Sequence, residues 1–208
     1  MTPSELDKEL TMLLHNILVD TGFAKKRICT LRRRTDECEQ YFTFSFTRDR
    51  GLPGNMYTLL PKMSFTFTQV DKLTSAFLGE KYSGVWGTGA RPFYTVVPES
   101  PVHKYKYCSD ESLEEFAEML ANDFRLYALS FYDKYDTLDK LENYFENHTE
   151  VKSYSDTEDW FDVIRANGHW CCKAAVLYAL GKKDKLQDFL DETDLLNTEE
   201  KERIREMM

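Results

Sequence analysis

The sequence predicts an α+β fold, in which an N-terminal helix packs on a small antiparallel sheet and a C-terminal helical region follows. Apolar residues recur at helical spacing at the start of the chain, alternate as in strands through its middle, and return to helical spacing after residue 112. Apolar residues make up 42% of the 208 residues and include 14 Phe, 12 Tyr and 3 Trp. This composition is sufficient to bury a core and excludes the disordered class for most of the chain.

The first predicted helix begins at a capping box and ends at a glycine. Thr2 is placed at the N-cap, Pro3 at the first helical position, and Glu5 where its carboxylate reaches back to the cap. Gly22 suits the left-handed turn that ends a helix. The apolar stripe between these signals consists of Leu6, Leu10, Leu13, Leu14, Ile17 and Leu18.

The strands are predicted from the alternation of phenylalanine with serine and threonine. Residues 41–47 and 63–70 each show this period-two pattern. Residues 28–34 predict an earlier strand, and residues 93–97, which lie between two prolines, predict a short edge strand. One apolar face and one hydroxyl face indicate an antiparallel sheet covered on a single side by the first helix.

Helical spacing resumes at a second capping box, formed by residues 112–115. An apolar stripe then continues over about five turns to Phe131. Asn197 and Glu200 form a third capping pair near the end of the chain. The further predicted helices cover residues 137–145, 170–180, 183–190 and 197–206.

Charge divides the chain at residue 107. Residues 1–107 carry 15 Lys and Arg against 11 Asp and Glu, a net charge of +4, whereas residues 108–208 carry 12 against 25, a net charge of −13. We therefore predict a helix-plus-sheet region at 1–107 and an acidic helical region at 108–208, packed together as one compact unit. Charge asymmetry bears on the choice of partner rather than on the fold, and it favours a basic protein partner.

The acidic region supplies the residues predicted to bind that partner. Trp160 stands within an acidic frame, which suits a basic partner with an apolar notch. A solvated helix start, where acids are favoured by the helix dipole, is the other interpretation of this segment. The predicted partner-binding residues are Asp156, Glu158, Asp159, Trp160 and Asp162, followed by the exposed acids Glu114, Glu118 and Asp123.

An alternative function class is a domain or enzyme that binds a small anion. Residues 79–92 are the most glycine-rich stretch, but they contain neither a Walker loop nor a dinucleotide fingerprint. In this hypothesis Arg91 holds the anion and Tyr82 or Trp86 stacks on a ring. An ordinary surface loop is the competing interpretation.

No catalytic residue, metal site or cofactor is predicted. The histidines sit in no catalytic signature, and His169 with Cys172 supplies only two of the ligands that zinc needs, so buried structural thiols are the better interpretation. The basic residues 25–34 would be divided between the two faces of a strand, which argues against nucleic-acid binding. No membrane span or export signal is found, and five cysteines without a C-x-x-C motif suit a reducing compartment, so we predict a cytoplasmic location.

The N-terminal pattern Leu-x-x-x-Leu-x-x-Leu-Leu, the turn containing Gly22, Phe23, Lys25 and Lys26, and the aromatic strands after it resemble an uncharacterised bacterial family known only as a domain of unknown function. Residues 124–141 are similar as well, whereas residues 28–30 depart from the family pattern. The resemblance implies a cytoplasmic bacterial α+β protein, and some relatives are suspected to belong to toxin–immunity loci. With the acidic second half, it predicts an immunity-type protein that neutralises a basic toxin.

Overall fold

A computed structural model describes residues 2–48, 53–84, 87–98, 105–147 and 168–208. Contacts between residues divide the chain into two compact units, each assembled from two separate stretches. The first unit comprises Met1–Ser64 and Arg91–Lys134. The second unit comprises Phe65–Ala90 and Tyr135–Met208.

Two antiparallel sheets and a larger number of helices make up the described residues, so the predicted α+β class is confirmed. The larger sheet has the strand order β1-β2-β3-β6-β7, and the smaller has the order β4-β5-β8. The strands are β1 (Ala24–Arg27), β2 (Thr30–Arg34), β3 (Glu39–Thr43), β4 (Phe46–Thr47), β5 (Met56–Leu59), β6 (Lys62–Thr66), β7 (Gly89–Pro92) and β8 (Lys106–Cys108). The helices are α1 (Pro3–Ile17), α2 (Thr68–Phe77), α3 (Leu113–Asp123), α4 (Leu129–Lys134), α5 (Leu138–Asn147), α6 (His169–Ala179), α7 (Lys183–Glu192) and α8 (Thr198–Met207).

Helix α1 forms as its capping signals predict. The Thr2 side chain accepts a hydrogen bond from the Glu5 amide, and the Glu5 carboxylate accepts one from the Thr2 amide at 2.7 Å. Its buried stripe packs against β1, β2 and β4, as the sequence predicts for a helix that covers the sheet. A 3-10 turn, Val19–Thr21, continues the chain to Gly22, whose φ of +79° lies in the left-handed region.

An aromatic core lies beneath the sheet of the first unit. The Phe124 ring is fully buried and packs edge-on against Phe23 and Phe42, with centroid distances of 5.0 and 4.8 Å. Phe42 also meets Phe93 at 5.4 Å. Helices α3 and α4 are joined into one continuous helix by a π-helical stretch, Phe124–Ala128. The predicted long helical stripe is therefore confirmed, with one irregular turn in its middle.

All four strand predictions need correction, and three of them concern turns or breaks. Residues 28 and 29 turn the chain between β1 and β2, with Cys29 at a φ of +62°, so 28–34 is not one strand. The stretch 41–47 is interrupted between β3 and β4. Residues 93–97 do not form a strand. The strand β7 ends just before them, and they begin with the 3-10 turn Phe93–Thr95.

Helix α2 was not predicted and replaces the second half of the strand expected at 63–70. Val70, Thr74 and Phe77 are buried and stand at i, i+4 and i+7, which is helical rather than strand spacing. Because Phe65 and Phe67 alternate with hydroxyl residues as in a strand, the sequence does not indicate that helical spacing begins directly after Phe67.

The second unit is organised around α6. This helix is apolar on nearly all sides and contacts α2, α5 and α7. It begins at Gly168, whose φ is +84° and whose place an alanine could not take without its Cβ coming within 2.6 Å of Leu78 Cδ1. Helices α5, α7 and α8 match the predicted ranges closely, and Asn197 and Glu200 form the predicted capping box.

Candidate functional site

The acid-rich segment predicted to bind the partner lies outside the described residues. This segment contains five of the predicted residues, Asp156, Glu158, Asp159, Trp160 and Asp162. Their role stays a prediction. The other predicted acids lie within the described residues. The remaining predicted residues, Glu114, Glu118 and Asp123, lie on α3 in the first unit.

Helix α3 carries an exposed acidic face. Ser112 caps the helix by accepting a hydrogen bond from the Glu115 amide, and its hydroxyl donates to Glu114 at 3.0 Å. Glu114 and Glu118 stand one helical turn apart and are exposed, as predicted. Residues 109–123 contain six Asp and Glu and no Lys or Arg. The start of α3 is thus a concentrated source of negative potential.

Helix α1 packs along α3 and adds acids to the same region. The pKa of Tyr107 records this proximity: burial raises it most, and the negative charges of Glu9, Glu111 and Glu114 raise it further. We define the acidic helix surface as the exposed residues Glu9, Glu111, Glu114, Glu115 and Glu118.

Asp123 was wrongly predicted to be an exposed acid. It is only 9% exposed, and its carboxylate accepts a hydrogen bond from the Tyr105 hydroxyl at 3.0 Å. Asp123 stands seven residues after Phe116 and three after Leu120, which places it on the inner face of α3. The helical spacing already contained this information.

Several acids of the second unit are matched by neighbouring cations. Glu142, Glu146 and Asp191 all lie within ion-pair distance of a lysine or an arginine. The described pairs in this unit are Asp136 with Lys140, Asp139 and Glu142 with Lys182, Glu142 and Glu146 with Lys185, Asp191 with Arg205, and Glu199 with Arg203. Within the described residues, the acidic helix surface is therefore one of two places where the negative surplus of residues 108–208 is concentrated, because residues 186–200 also contain six Asp and Glu and no Lys or Arg.

A cavity of about 220 Å³ opens between α5, α6 and α7 of the second unit. We call it the helix cleft. Helix α6 contributes Lys173 and two apolar side chains, while α5 and α7 contribute acids and a phenylalanine each. The lining residues are Glu142, Phe145, Glu146, Lys173, Val176, Leu177, Lys185, Asp188, Phe189 and Glu192. The sequence does not reveal this site, because its residues come from three helices whose packing the periodicity does not specify.

Lys173 is held in the cleft by aromatic rings. Its ammonium lies 4.6 Å from the centroid of Phe189 and 5.9 Å from that of Trp170. Burial lowers the pKa of Lys173, Glu146 acts in the opposite direction, and the positive charge of Lys185 lowers the pKa further.

Glu142 is the buried carboxylate of the cleft, and it makes the stability of the protein depend on pH. Burial raises the pKa of Glu142, but hydrogen bonds from Lys182 and Lys185 lower it by more, so the pKa lies below its ordinary value of 4.5. A carboxyl group with a lowered pKa in the folded state stabilises the fold above about pH 5, and this contribution is lost as the pH falls. We expect Glu142→Gln to reduce stability at pH 7 and to flatten its decline between about pH 5 and 3.

Urea denaturation at a series of pH values measures this effect. Glu206→Gln is the control, because Glu206 is exposed on α8 and lies within ion-pair distance of no described cation. Equal pH profiles for the wild type and Glu142→Gln would contradict the assignment.

The described structure does not test the alternative anion site as a whole. Tyr82 belongs to the second unit and Arg91 to the first, and Trp86 lies outside the described residues. The Arg91 guanidinium donates to the Thr95 hydroxyl at 2.7 Å, so it is engaged within its own turn. The anion-binding hypothesis stays a prediction.

The basic residues of β2 are divided between two faces, as the strand geometry predicts. Arg32 and Arg34 both lie within ion-pair distance of Glu39 on one face. Arg33 lies on the other face, where it stacks over Phe23 and pairs with Asp133 at 3.0 Å. Positive charge in β2 is thus dispersed and locally neutralised rather than concentrated for phosphate binding.

The predicted burial of the neighbouring thiols is confirmed. Cys171 and Cys172 are at most 1% exposed, and His169 packs between Phe145 and Trp170 with centroid distances of 4.9 and 4.7 Å. Within the described residues, no three His, Cys, Asp or Glu side chains are grouped so that they could hold a metal ion. None of the described helices has the length and apolar character needed to cross a membrane.

Comparisons of the chain with protein-family models, with curated proteins and with solved structures find no match. The resemblance drawn from the N-terminal pattern therefore stays a prediction, and any function has to be argued from the residues themselves.

Proposed function

We propose that this chain is a protein-interaction module that binds a basic protein partner, and most concretely an immunity-type protein that neutralises a basic toxin. The observation that supports this proposal is the acidic helix surface of the first unit. Its five carboxylates are exposed, and no described lysine or arginine lies within ion-pair distance of Glu115 or Glu118.

An exposed acidic surface serves recognition in two ways. It speeds the association with a basic partner through long-range attraction, and it disfavours acidic competitors. On α1, Met12 lies one turn after Glu9 and is 42% exposed, and its sulfur lies 3.2 Å from the Lys25 ammonium. A large apolar side chain beside acids can supply the buried contact around which polar interface residues are arranged.

Charge reversal on α3 tests the proposal. We expect the double variant Glu114→Lys/Glu118→Lys to capture a basic protein at least about tenfold more weakly than the wild type in pull-downs from a bacterial lysate. The wild-type capture should also weaken between low and high salt, because exposed charges are screened. Quantitative mass spectrometry of the captured proteins provides the measurement.

The matched control is Glu202→Lys/Glu206→Lys. These two acids are also exposed, are also one turn apart, and lie on α8, which belongs to the other unit. Absence of a captured basic protein, capture that is insensitive to salt, or equal losses in the two double variants would each count against the proposal.

A further inference from the structure

The helix cleft combines an apolar floor with charged walls. Val176 and Leu177 line it from α6, Phe145 lines it from α5, and Phe189 lines it from α7. A volume of about 220 Å³ is smaller than the roughly 300–1,000 Å³ of typical small-molecule sites. The cleft therefore has room for one amino-acid side chain rather than for a nucleotide-sized ligand.

A ring in this cleft already holds a cation. The Lys173 ammonium lies over the Phe189 ring at 4.6 Å, which shows that the ring can accommodate a positive charge. An arginine guanidinium stacks on aromatic faces at least as well as an ammonium does, since it is planar and more weakly hydrated.

The charges on the walls are not balanced. The cleft is lined by four carboxylates and two ammonium groups, and Lys185 is engaged by Glu142 and Glu146 at 3.0 Å each. Asp188 and Glu192 stand one turn apart on α7 and are exposed, and no cation of the described residues lies within ion-pair distance of either. Two neighbouring carboxylates of this kind suit the several donors of one guanidinium group.

We propose that the helix cleft binds an arginine side chain presented by a basic protein. The aliphatic part of the arginine lies along Val176 and Leu177, and its guanidinium reaches Phe189, Asp188 and Glu192. This inference rests on the proposed function only in taking the partner to be a basic protein, because the cleft and the acidic helix surface belong to different units and share no residue.

Short peptides test the cleft without the unidentified partner. The probe is a Gly/Ser peptide with one central arginine, and its match contains citrulline, which has nearly the same shape without the charge. We expect the arginine peptide to shift the amide resonances of Val176, Leu177 and Phe189 in the full chain, and to bind at least about tenfold more tightly than the citrulline peptide.

Variants of the cleft should change this affinity in opposite directions. Asp188→Asn/Glu192→Gln should weaken the binding of the arginine peptide by about tenfold, since two charge partners are lost. Lys173→Met should strengthen it, because a competing cation leaves the Phe189 ring. The control Asp184→Asn/Asp194→Asn removes two exposed acids, one in the first turn of α7 and one just after the helix, that do not line the cleft, and should leave the affinity unchanged.

Equal binding of the two peptides, or an equal loss in the control variant, would overturn this inference. The peptide titration of Glu114→Lys/Glu118→Lys separates the two proposals, because that variant should bind the arginine peptide as the wild type does. A cleft that ignores arginine while pull-downs still depend on Glu114 and Glu118 would reject the cleft and leave the proposed function intact.

Discussion

Replacing Phe124 with alanine is expected to lower the free energy of unfolding by about 3–5 kcal/mol. The Phe124 ring is completely buried, and it contacts Phe23, Phe42 and Tyr132. Its removal takes away apolar contacts from three other aromatic rings and leaves a cavity that a close-packed core fills only in part. A loss of this size is a large share of the roughly 5–15 kcal/mol that stabilises a typical domain.

Urea denaturation followed by far-UV circular dichroism measures this loss, and Leu126→Ala is the matched control. Leu126 lies in the same π-helical stretch but is 66% exposed, so its truncation should change stability by less than about 0.5 kcal/mol. Phe124→Leu keeps part of the buried surface and should lie between the wild type and Phe124→Ala, which preserves the test if the alanine variant fails to fold. Equal losses at positions 124 and 126 would contradict the described core.

The elements with local signals were predictable from the sequence. The capping box of Thr2 and Glu5, and the capping pair of Asn197 and Glu200, depend on side chains three residues apart, which the sequence displays directly. Helix α2 was missed because it follows β6 almost without a break. Phe67, the last member of the strand alternation, is itself the N-cap of α2 and makes no side-chain capping bond.

The candidate sites were predictable only in part. Exposure of Glu114 and Glu118 follows from the position of the apolar stripe on α3, and the same stripe places Asp123 inward, where the Tyr105 hydroxyl meets it. The helix cleft depends on tertiary packing instead. Asp188 and Glu192 show a spacing of four residues in the sequence, but nothing local indicates that Lys173 from another helix lines the same cavity.

Replacing Asp7 with alanine is expected to lower the free energy of unfolding by about 1–3 kcal/mol. Asp7 is 9% exposed, and its carboxylate accepts hydrogen bonds from the Phe46 amide at 2.8 Å and the Ser45 hydroxyl at 3.1 Å. Without it, a buried backbone N–H at the start of β4 has lost its acceptor, which costs far more than an exposed hydrogen bond would. Asp7→Asn keeps an acceptor oxygen and should lose less.

The reactivity of the Cys29 thiol provides a second test of Asp7. A general loss of stability would not change this reactivity in the folded protein. Burial raises the pKa of Cys29 to about 12, and a hydrogen bond to Asp7 and the negative charge of Asp7 contribute to this rise. Removal of the carboxylate lowers that pKa towards the ordinary value of 9.0, so more thiolate is present at about pH 9 and alkylation of Cys29 by iodoacetamide should accelerate. Glu9→Ala removes an exposed charge from the same helix and should leave the rate as it is. An unchanged rate of Cys29 alkylation in folded Asp7→Ala would show that the Asp7 carboxylate does not interact with the Cys29 thiol as well as with the start of β4.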